Sequence, residues 1–156
     1  METVTEDQLA AWKQLQWAAA LITSRFRRDL GTARLSLEQF DVLVHLAWEP
    51  SGTLPLHELT ASMVVGDALS RSGITRLLDR MEHDGLITRT VSTTDRRRFD
   101  VSLTPPGRLR FEQAWPAHAD GIGRYFAQPL APRDIGELAR ILDTLIQANQ
   151  NHDQPG

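Results

Sequence analysis

The sequence contains no cysteine, only one tyrosine, and no apolar run of the length that crosses a membrane. Without cysteine there is no disulfide bond and no thiol redox sensor, which is typical of proteins from a reducing cytoplasm. A membrane-spanning helix needs about 20 consecutive apolar residues. No stretch approaches that length, and the N-terminus does not have the pattern of a signal peptide. These absences predict a soluble, cytoplasmic protein.

Motifs of enzymes and metal sites are also missing. The chain has no glycine-rich phosphate loop, no nucleophile elbow and no paired-carboxylate motif. His57, His83 and His118 do not have the spacing of zinc ligands. We therefore expect no enzyme activity, no metal and no cofactor.

The net charge of the chain is negative, but positive charge is concentrated in one part of the sequence. The net charge of −3 argues against nucleic-acid binding. Between Leu69 and Arg110, however, nine arginines stand against five acidic residues, which gives this block about +4 and the remainder about −7. Phosphate binding depends on the local field, so the block favours a nucleic-acid contact. The alternative is that these arginines simply cover a solvated surface.

Apolar residues recur every three or four positions in the N-terminal third, as in amphipathic helices. They predict a first helix over residues 5–30, ended by Gly31, and a second helix that starts at a capping box of Ser36 and Gln39 and stops before Pro50. The first predicted stripe contains Leu9, Trp12, Ala19, Ile22, Phe26 and Leu30. The predicted buried stripe of the second contains Phe40, Leu43, Val44 and Ala47.

The middle of the chain predicts two helices and a β-hairpin. After a short extended piece, "HELTASMVV" is a short helix closed by Gly66, and "SRSGITRLLDRMEHDG" is a longer helix closed by Gly85. The longer helix has an apolar side formed by Ile74, Leu77, Leu78 and Met81. "LITRTV" and "FDVSLT" alternate like two strands, joined by "STTDRRR".

Two further helices are predicted at the C-terminal end. Pro105 and Pro106 fit the first turn of a helix, where N–H groups have no helical partner. This helix runs to about Gln128, with a bend expected at Pro116. The last helix carries Ile135, Leu138, Ile141, Leu142 and Leu145.

This order of elements predicts a mainly α protein with a winged helix-turn-helix, in which one helix enters the major groove of DNA beside a β-hairpin wing. Ser70, Arg71 and Ser72 lie in the first turn of the exposed helix, where hydroxyl and N–H groups suit phosphate oxygens. Thr75 and Arg76 lie one turn further, within reach of base edges. Arginine can donate to guanine O6 and N7, and a threonine methyl can contact the thymine methyl.

The hairpin tip is predicted to enter the minor groove. Arg96, Arg97 and Arg98 suit the negative potential of a narrow, A·T-rich groove. Asp95 is expected to hold Arg97 extended through a charge-assisted hydrogen bond. Arg80 continues the polar side of the preceding helix towards the wing.

Some charged residues have alternative roles. Asp79 either pairs with Arg76 or Arg80, or accepts a hydrogen bond from cytosine. The alternative role of Arg76 is to serve only as the partner of Asp79, an interaction of about 0.2–0.5 kcal/mol. For three other arginines we expect plain surface positions or phosphate contacts: Arg89, Arg108 and Arg110.

Residues 69–108, "LSRSGITRLLDRMEHDGLITRTVSTTDRRRFDVSLTPPGR", resemble the recognition helix and wing of the multiple antibiotic resistance regulator (MarR) family. Asp-x-Arg at 95–97, Val-x-Leu-Thr at 101–104 and Gly-Arg at 107–108 carry the resemblance. It implies one domain over 1–156, with a DNA-binding lobe at 35–104 and homodimer helices at 5–30 and 105–148. It also implies that Arg97 is the minor-groove arginine.

The resemblance further implies a homodimeric, ligand-responsive repressor that binds a small phenolic or aromatic effector between the dimer interface and the DNA-binding lobe. The link between the two helices of the motif is about four residues longer than usual, so the recognition helix starts at either Asp67 or Ser70. Ligand candidates are Trp17, His45 and Trp48. The alternatives are core and dimer packing for the tryptophans and a satisfied buried histidine for His45.

The sequence therefore predicts a sequence-specific, double-stranded DNA-binding transcriptional regulator. Its expected partners are DNA, a second copy of itself and a small effector, with no membrane. The alternative function is a helical protein-interaction module that keeps the winged-helix scaffold without binding DNA.

Overall fold

The computed structural model describes residues 4–63, 71–92 and 97–150. Within these ranges the chain is mainly α, with a small antiparallel sheet, which confirms the predicted winged-helix class. None of the described helices is long and apolar enough to cross a membrane. The elements are α1 (Glu6–Thr32), α2 (Leu37–Trp48), β1 (Thr53–Pro55), α3 (Leu56–Ser62), α4 (Arg71–His83), β2 (Ile87–Val91), β3 (Phe99–Leu103), α5 (Pro105–Ile122) and α6 (Pro132–Gln150).

The chain divides into two compact units, residues 1–118 and 119–156. The first unit contains α1 to α4, the sheet and most of α5. The second contains the end of α5, a π-helical turn at Gly123–Ala127 and α6.

The prediction that Gly31 ends helix α1 was wrong, because the helix continues to Thr32. The left-handed residue is Arg34, with φ of 55°. The N–H of Arg34 donates to the Gly31 carbonyl (3.1 Å), and that of Leu35 donates to the Leu30 carbonyl (3.2 Å). This is a Schellman ending, in which the buried Leu30 and Leu35 supply the apolar contact. That contact fixes the end of the helix at Thr32, one residue beyond the glycine, with the left-handed residue at Arg34.

Helix α2 begins as predicted. The Gln39 N–H donates to Ser36 Oγ (3.1 Å), and the Ser36 N–H donates to Gln39 Oε1 (3.0 Å), which completes the capping box. The predicted buried stripe was partly wrong, because Val44 and Ala47 are only partly buried. The residues of α2 that are buried are Phe40, Val42, Leu43 and Leu46.

The core of the first unit lies between α2, α4 and the sheet. Helix α4 contributes Leu77, Leu78 and Met81, as predicted, while Ile74 packs partly against the same core. The sheet has the order β1-β3-β2, all antiparallel. Its buried face includes Ile87 and Val101.

The turn at Gly85 and the hydrogen bonds of Thr104 and Gly107 connect the wing and α5 to the end of α4. Gly85 ends α4 with φ of 71°, as predicted. Thr104 donates its hydroxyl to the Gly85 carbonyl (2.6 Å) and its N–H to the Leu86 carbonyl (3.2 Å). The N–H of Gly107 donates to Thr104 Oγ1 (3.1 Å). A Cβ at position 107 would overlap the Leu86 carbonyl oxygen, so this approach requires glycine.

Most of the predicted α1 stripe is not buried within one chain. Leu30 is buried and Phe26 is partly buried, whereas Leu9 and Trp12 are exposed. Single exposed apolar residues are ordinary, but α1 has several large ones. They are Leu9, Trp12, Leu15, Trp17 and Leu21.

Candidate nucleic-acid interface

Helix α4 presents a polar side to solvent because its apolar side faces the core. Leu77, Leu78 and Met81 are buried. With 100° per residue, the opposite side then carries the residues singled out from the sequence. Those exposed on it are Ser72, Thr75, Arg76, Asp79 and Arg80.

Arg80 and Arg76 stay close together on this surface. The Nε of Arg80 donates to the Arg76 carbonyl, 3.3 Å away. This bond uses the backbone of the preceding turn, so both guanidinium groups keep donors that can reach an anion. Arg76 and Arg80 thus lie on the exposed polar side of α4.

Asp79 has a partner that the sequence did not predict. Arg89 on β2 donates through Nη2 to Asp79 Oδ1 at 2.6 Å and to Glu82 Oε2 at 2.6 Å. The expectation that Asp79 pairs with Arg76 or Arg80 was therefore wrong, because an arginine ten residues away reaches it from the adjacent strand. The expectation of a plain surface or phosphate-contacting Arg89 was wrong too.

The same arginine binds Glu82 at two further points. Its Nε donates to Glu82 Oε2 (3.0 Å), and its backbone N–H donates to Glu82 Oε1 (2.9 Å). These hydrogen bonds hold the pKa of the Glu82 carboxyl below its usual range, and Glu82 in turn raises the pKa of Arg89. Charge-assisted bonds of this type are directional. They fix β2 against α4.

The wing consists of β2, β3 and the segment between them. The backbone N–H of Ser92 donates to the Arg98 carbonyl (2.9 Å) and continues the ladder past the last strand residues. Arg97 and Arg98 are exposed. Arg98 Nη1 lies 3.3 Å from His57 Nε2 on α3, so this guanidinium also contacts the first helix of the motif.

Several sequence-based hypotheses lie outside the described residues. These are the roles of Ser70, Asp95 and Arg96, the side chain of Arg71, and the choice of Asp67 or Ser70 as the helix start. They stay predictions, as does the hydrogen bond between Asp95 and Arg97.

Arg110 has a structural partner. Its Nη1 donates to the carbonyl of Ala33 (3.2 Å), the residue that caps α1. The expectation of a plain surface position was wrong for Arg110, which is partly buried, while its phosphate contact stays a prediction. It ties α5 to the end of α1.

An aromatic cluster joins α1, α2 and α5. The ring of His118 lies 4.5 Å from that of Phe26, 4.6 Å from that of Phe40 and 5.9 Å from that of Trp115, measured between centroids. Its Nδ1 is buried and has no hydrogen-bond partner within the described parts of the chain. Burial lowers the pKa of His118, and the nearby Asp41 opposes this in part. Sequence reasoning missed the cluster, although Phe111, Trp115 and His118 share helical spacing.

The three ligand candidates lie at two places. His45 Nε2 is 3.4 Å from Asp41 Oδ1 on the same helix, and the exposed Trp48 meets Trp115 edge-on with centroids 5.4 Å apart. Trp48 therefore borders the aromatic cluster, and His45 lies three residues before it on the same helix. Trp17 is exposed on α1, where it lines a shallow depression with Lys13, Gln16 and Ala20.

Comparison with known proteins identifies one family by sequence. The MarR family model matches residues 35–99. The HTH-type transcriptional repressor MdtR of Bacillus subtilis is 32% identical over 103 residues, or 66% of this chain and 63% of that protein. The HTH-type transcriptional regulator FarR of Neisseria gonorrhoeae is 30% identical over 139 residues, or 84% of this chain and 89% of that protein. The chain thus spans less than two thirds of the first relative and most of the second.

Solved structures share the fold. Sco3205, a MarR family transcriptional regulator from Streptomyces coelicolor solved in complex with DNA, has a TM-score of 0.86 and 22% identity, covering 95% of this chain and 91% of that one. BpsR of Bordetella bronchiseptica, whose structure concerns the regulation of DNA binding by 6-hydroxynicotinic acid, has a TM-score of 0.72 and 21% identity, covering 85% and 90%.

Proposed function

This chain belongs to the MarR family of transcriptional regulators, and we propose from this premise that it is a homodimeric, sequence-specific, double-stranded DNA-binding repressor that responds to a small ligand. As a transcriptional regulator of this family, it is not an enzyme. The observation that carries the proposal is the rigid connection of two basic surfaces. Arg89 joins the polar side of α4 to the wing that bears Arg97 and Arg98.

On DNA, α4 occupies the major groove and the wing occupies the adjacent minor groove. Thr75 and Arg76 contact base edges, with Arg76 donating to guanine O6 and N7. Arg80 contacts the phosphate backbone, and Arg97 enters the minor groove. Asp79 does not repel phosphate strongly, because Arg89 already neutralises it.

Two copies of the chain bind two half-sites. The exposed apolar side chains of α1 and those of α6, namely Ile141, Leu145 and Ile146, supply apolar surface that a second copy would bury. The first unit presents such a surface on α1, and the second unit presents one on α6. A symmetric dimer then places two recognition helices about 34 Å apart, in successive major grooves of a pseudo-palindrome.

The effector is an aromatic or phenolic acid that binds beside the aromatic cluster. Trp48 and Trp115 offer flat apolar surfaces at its border, and the His45 ring lies on the same helix as Trp48. Trp17 and Lys13 line a separate depression on α1, which offers an aromatic face and a cation as an alternative place for such an acid. The ligand lowers DNA affinity only by binding more tightly to a dimer geometry that does not fit DNA.

The test is fluorescence anisotropy with duplexes that flank the coding region, measured over a series of salt concentrations. A DNA-binding regulator gives an affinity that falls steeply with salt, because each neutralised phosphate releases counterions. The protein-interaction module gives no binding and no slope, and that result would refute the proposal. Adding aromatic acids to the preformed complex tests the effector, since a true effector reduces affinity at fixed salt.

A further inference from the structure

The face of the sheet that packs against α4 extends beyond the core. On this face Ile87 is buried, and Arg89 lies opposite the buried Val101 and reaches α4. Two residues closer to the hairpin tip, Val91 lies opposite Phe99. Because side chains alternate along a strand and opposed residues share a face, both project towards the side of α4. Yet Val91 is 52% exposed and Phe99 is 47% exposed.

The other face of the sheet is polar. Thr88 and Thr90 are exposed there, and the hydroxyls of Thr53 and Ser102 lie 2.8 Å apart. Threonine is therefore accepted at exposed positions of these strands, and it has good strand propensity. A cross-strand pair stabilises a hairpin by only about 0.2–1 kcal/mol. Hairpin stability alone does not require an aromatic and an aliphatic side chain at the exposed end.

The apolar pair lies between two cationic surfaces. Phe99 directly follows the exposed Arg97 and Arg98, and α4 lies on the other side with Arg76 and Arg80. Two residues before Val91 on the same face of β2 is Arg89, which is paired with α4 carboxylates. Between the surfaces that are proposed to contact the two grooves, the exposed side chains of Val91 and Phe99 are thus apolar rather than charged.

Duplex DNA offers matching chemistry at that position. The strand that separates a major from a minor groove exposes deoxyribose C–H groups between its phosphates. We propose that Val91 and Phe99 pack against these deoxyribose rings and add affinity that does not depend on salt. This proposal rests on the proposed DNA-binding function and adds a contact of a different physical kind.

Salt separates this contact from the alternatives. Each phosphate contact contributes about −0.9 to the slope of log K against log salt, whereas burial of carbon releases no counterion. Loss of an apolar contact therefore weakens binding equally at all salt concentrations. If the pair merely stiffened the hairpin, its loss would displace the wing arginines, and the slope would become shallower.

The experiment compares Phe99→Thr and Val91→Thr with two reference variants by anisotropy on the duplex that the unaltered protein binds. Arg97→Ala is the reference for a lost cationic contact of the wing, and Thr90→Ala is the matched control on the opposite face. All variants are first checked for an unchanged urea midpoint. The mild Val91→Thr change retains a β-branched side chain and keeps the test valid if Phe99→Thr unfolds.

We expect Phe99→Thr to weaken binding about fivefold to tenfold and Val91→Thr about twofold to threefold at every salt concentration, with unchanged slopes. Thr90→Ala should bind like the unaltered protein. Unaltered affinity in both apolar variants, a loss as large in Thr90→Ala, or a slope as shallow as that of Arg97→Ala would overturn the proposal. Failure of the unaltered protein to bind any duplex is a separate result that would refute the proposed function as well.

Discussion

Arg89 Nη2 on β2 lies 2.6 Å from Asp79 Oδ1 on α4, and the same nitrogen lies 2.6 Å from Glu82 Oε2. One guanidinium therefore pairs with two carboxylates on the helix that is proposed to enter the major groove, and it cancels one of their two negative charges. Because Arg89 also belongs to the wing, the angle between helix and wing is fixed by an interaction that reduces the negative charge on the side of α4 that is proposed to face DNA.

Arg89→Ala is expected to weaken DNA binding more than it destabilises the protein. The change releases two carboxylates next to the phosphates and loosens the wing. The pairs are partly exposed, so we expect unfolding to become easier by only about 1 kcal/mol. DNA affinity should fall about tenfold or more at low salt because of phosphate repulsion. Urea unfolding and anisotropy measure the two effects.

A second substitution separates charge from geometry. In the Arg89→Ala background, Asp79→Asn should restore part of the DNA affinity because it removes one of the released charges. Arg140→Ala is the control, since it breaks an ion pair of the same length with Glu137 on α6, in the other unit of the chain. No recovery in the double variant would show that charge release is not the cause.

Arg76→Ala should relax base preference at one position of each half-site. A bidentate contact to guanine contributes about 1–3 kcal/mol of discrimination against the wrong base. Selection from randomised duplexes should therefore show one position that loses its preference, with the others unchanged. The same selection profile for the variant and the unaltered protein would contradict the role of Arg76.

Local signals in the sequence predicted much of the fold. The capping box at Ser36 and Gln39, the glycine at 85 and the apolar side of α4 depend on neighbours within four residues, so their spacing is visible in the sequence. The hairpin was predictable for the same reason, because alternation along β2 and β3 sets which side chains share a face.

Interactions between distant elements were not predictable. The end of α1 depends on burial of Leu30 and Leu35, which favoured a left-handed Arg34 over the available Gly31. The partner of Asp79 comes from another element, so helical spacing pointed to the wrong arginines. The His118 cluster combines rings from three helices. Helical spacing relates only the rings of α5 to one another, and it does not show that Phe26 and Phe40 lie beside them.

Gly107→Ala should destabilise the protein strongly. The added Cβ would overlap the Leu86 carbonyl oxygen, and Leu103 Cδ1 would lie 2.9 Å away. Backbone must then move, which costs about 2–3 kcal/mol or more. Gly136→Ala on α6 is the matched control, because nothing lies within 4 Å of its added Cβ, and it should be neutral or slightly stabilising. Similar urea midpoints for the two variants would contradict the close approach at Gly107.

Removal of the chain after Ile135 should abolish the dimer, because it deletes the exposed apolar residues of α6. Leu145→Glu is a milder change that places a charge on the same surface and should shift the dimer towards monomer. Sedimentation velocity measures both. Operator affinity should fall with the dimer, since one half-site supplies only part of the contacts. A truncated protein that still sediments as two chains would place the interface elsewhere.

His118 should make stability depend on pH. Its pKa is lowered by burial from an ordinary value of 6.5, so the unfolded chain binds a proton more readily than the folded one. The stabilisation is thus complete above pH 6.5 and is lost as the pH falls through the lower folded-state pKa. One such group changes the free energy of unfolding by at most about 1.4 kcal/mol per pH unit.

His118→Phe should remove this dependence while keeping a ring against Phe26 and Phe40. Urea unfolding at several pH values between about 8 and 5 should show the two proteins diverging only below about 6.5, with the variant losing less stability. His83→Gln, which removes an exposed histidine from α4, serves as the control and should follow the unaltered protein. Parallel curves for His118→Phe and the unaltered protein would mean that the buried ring accepts its proton without cost, for example through the faces of the surrounding aromatic rings.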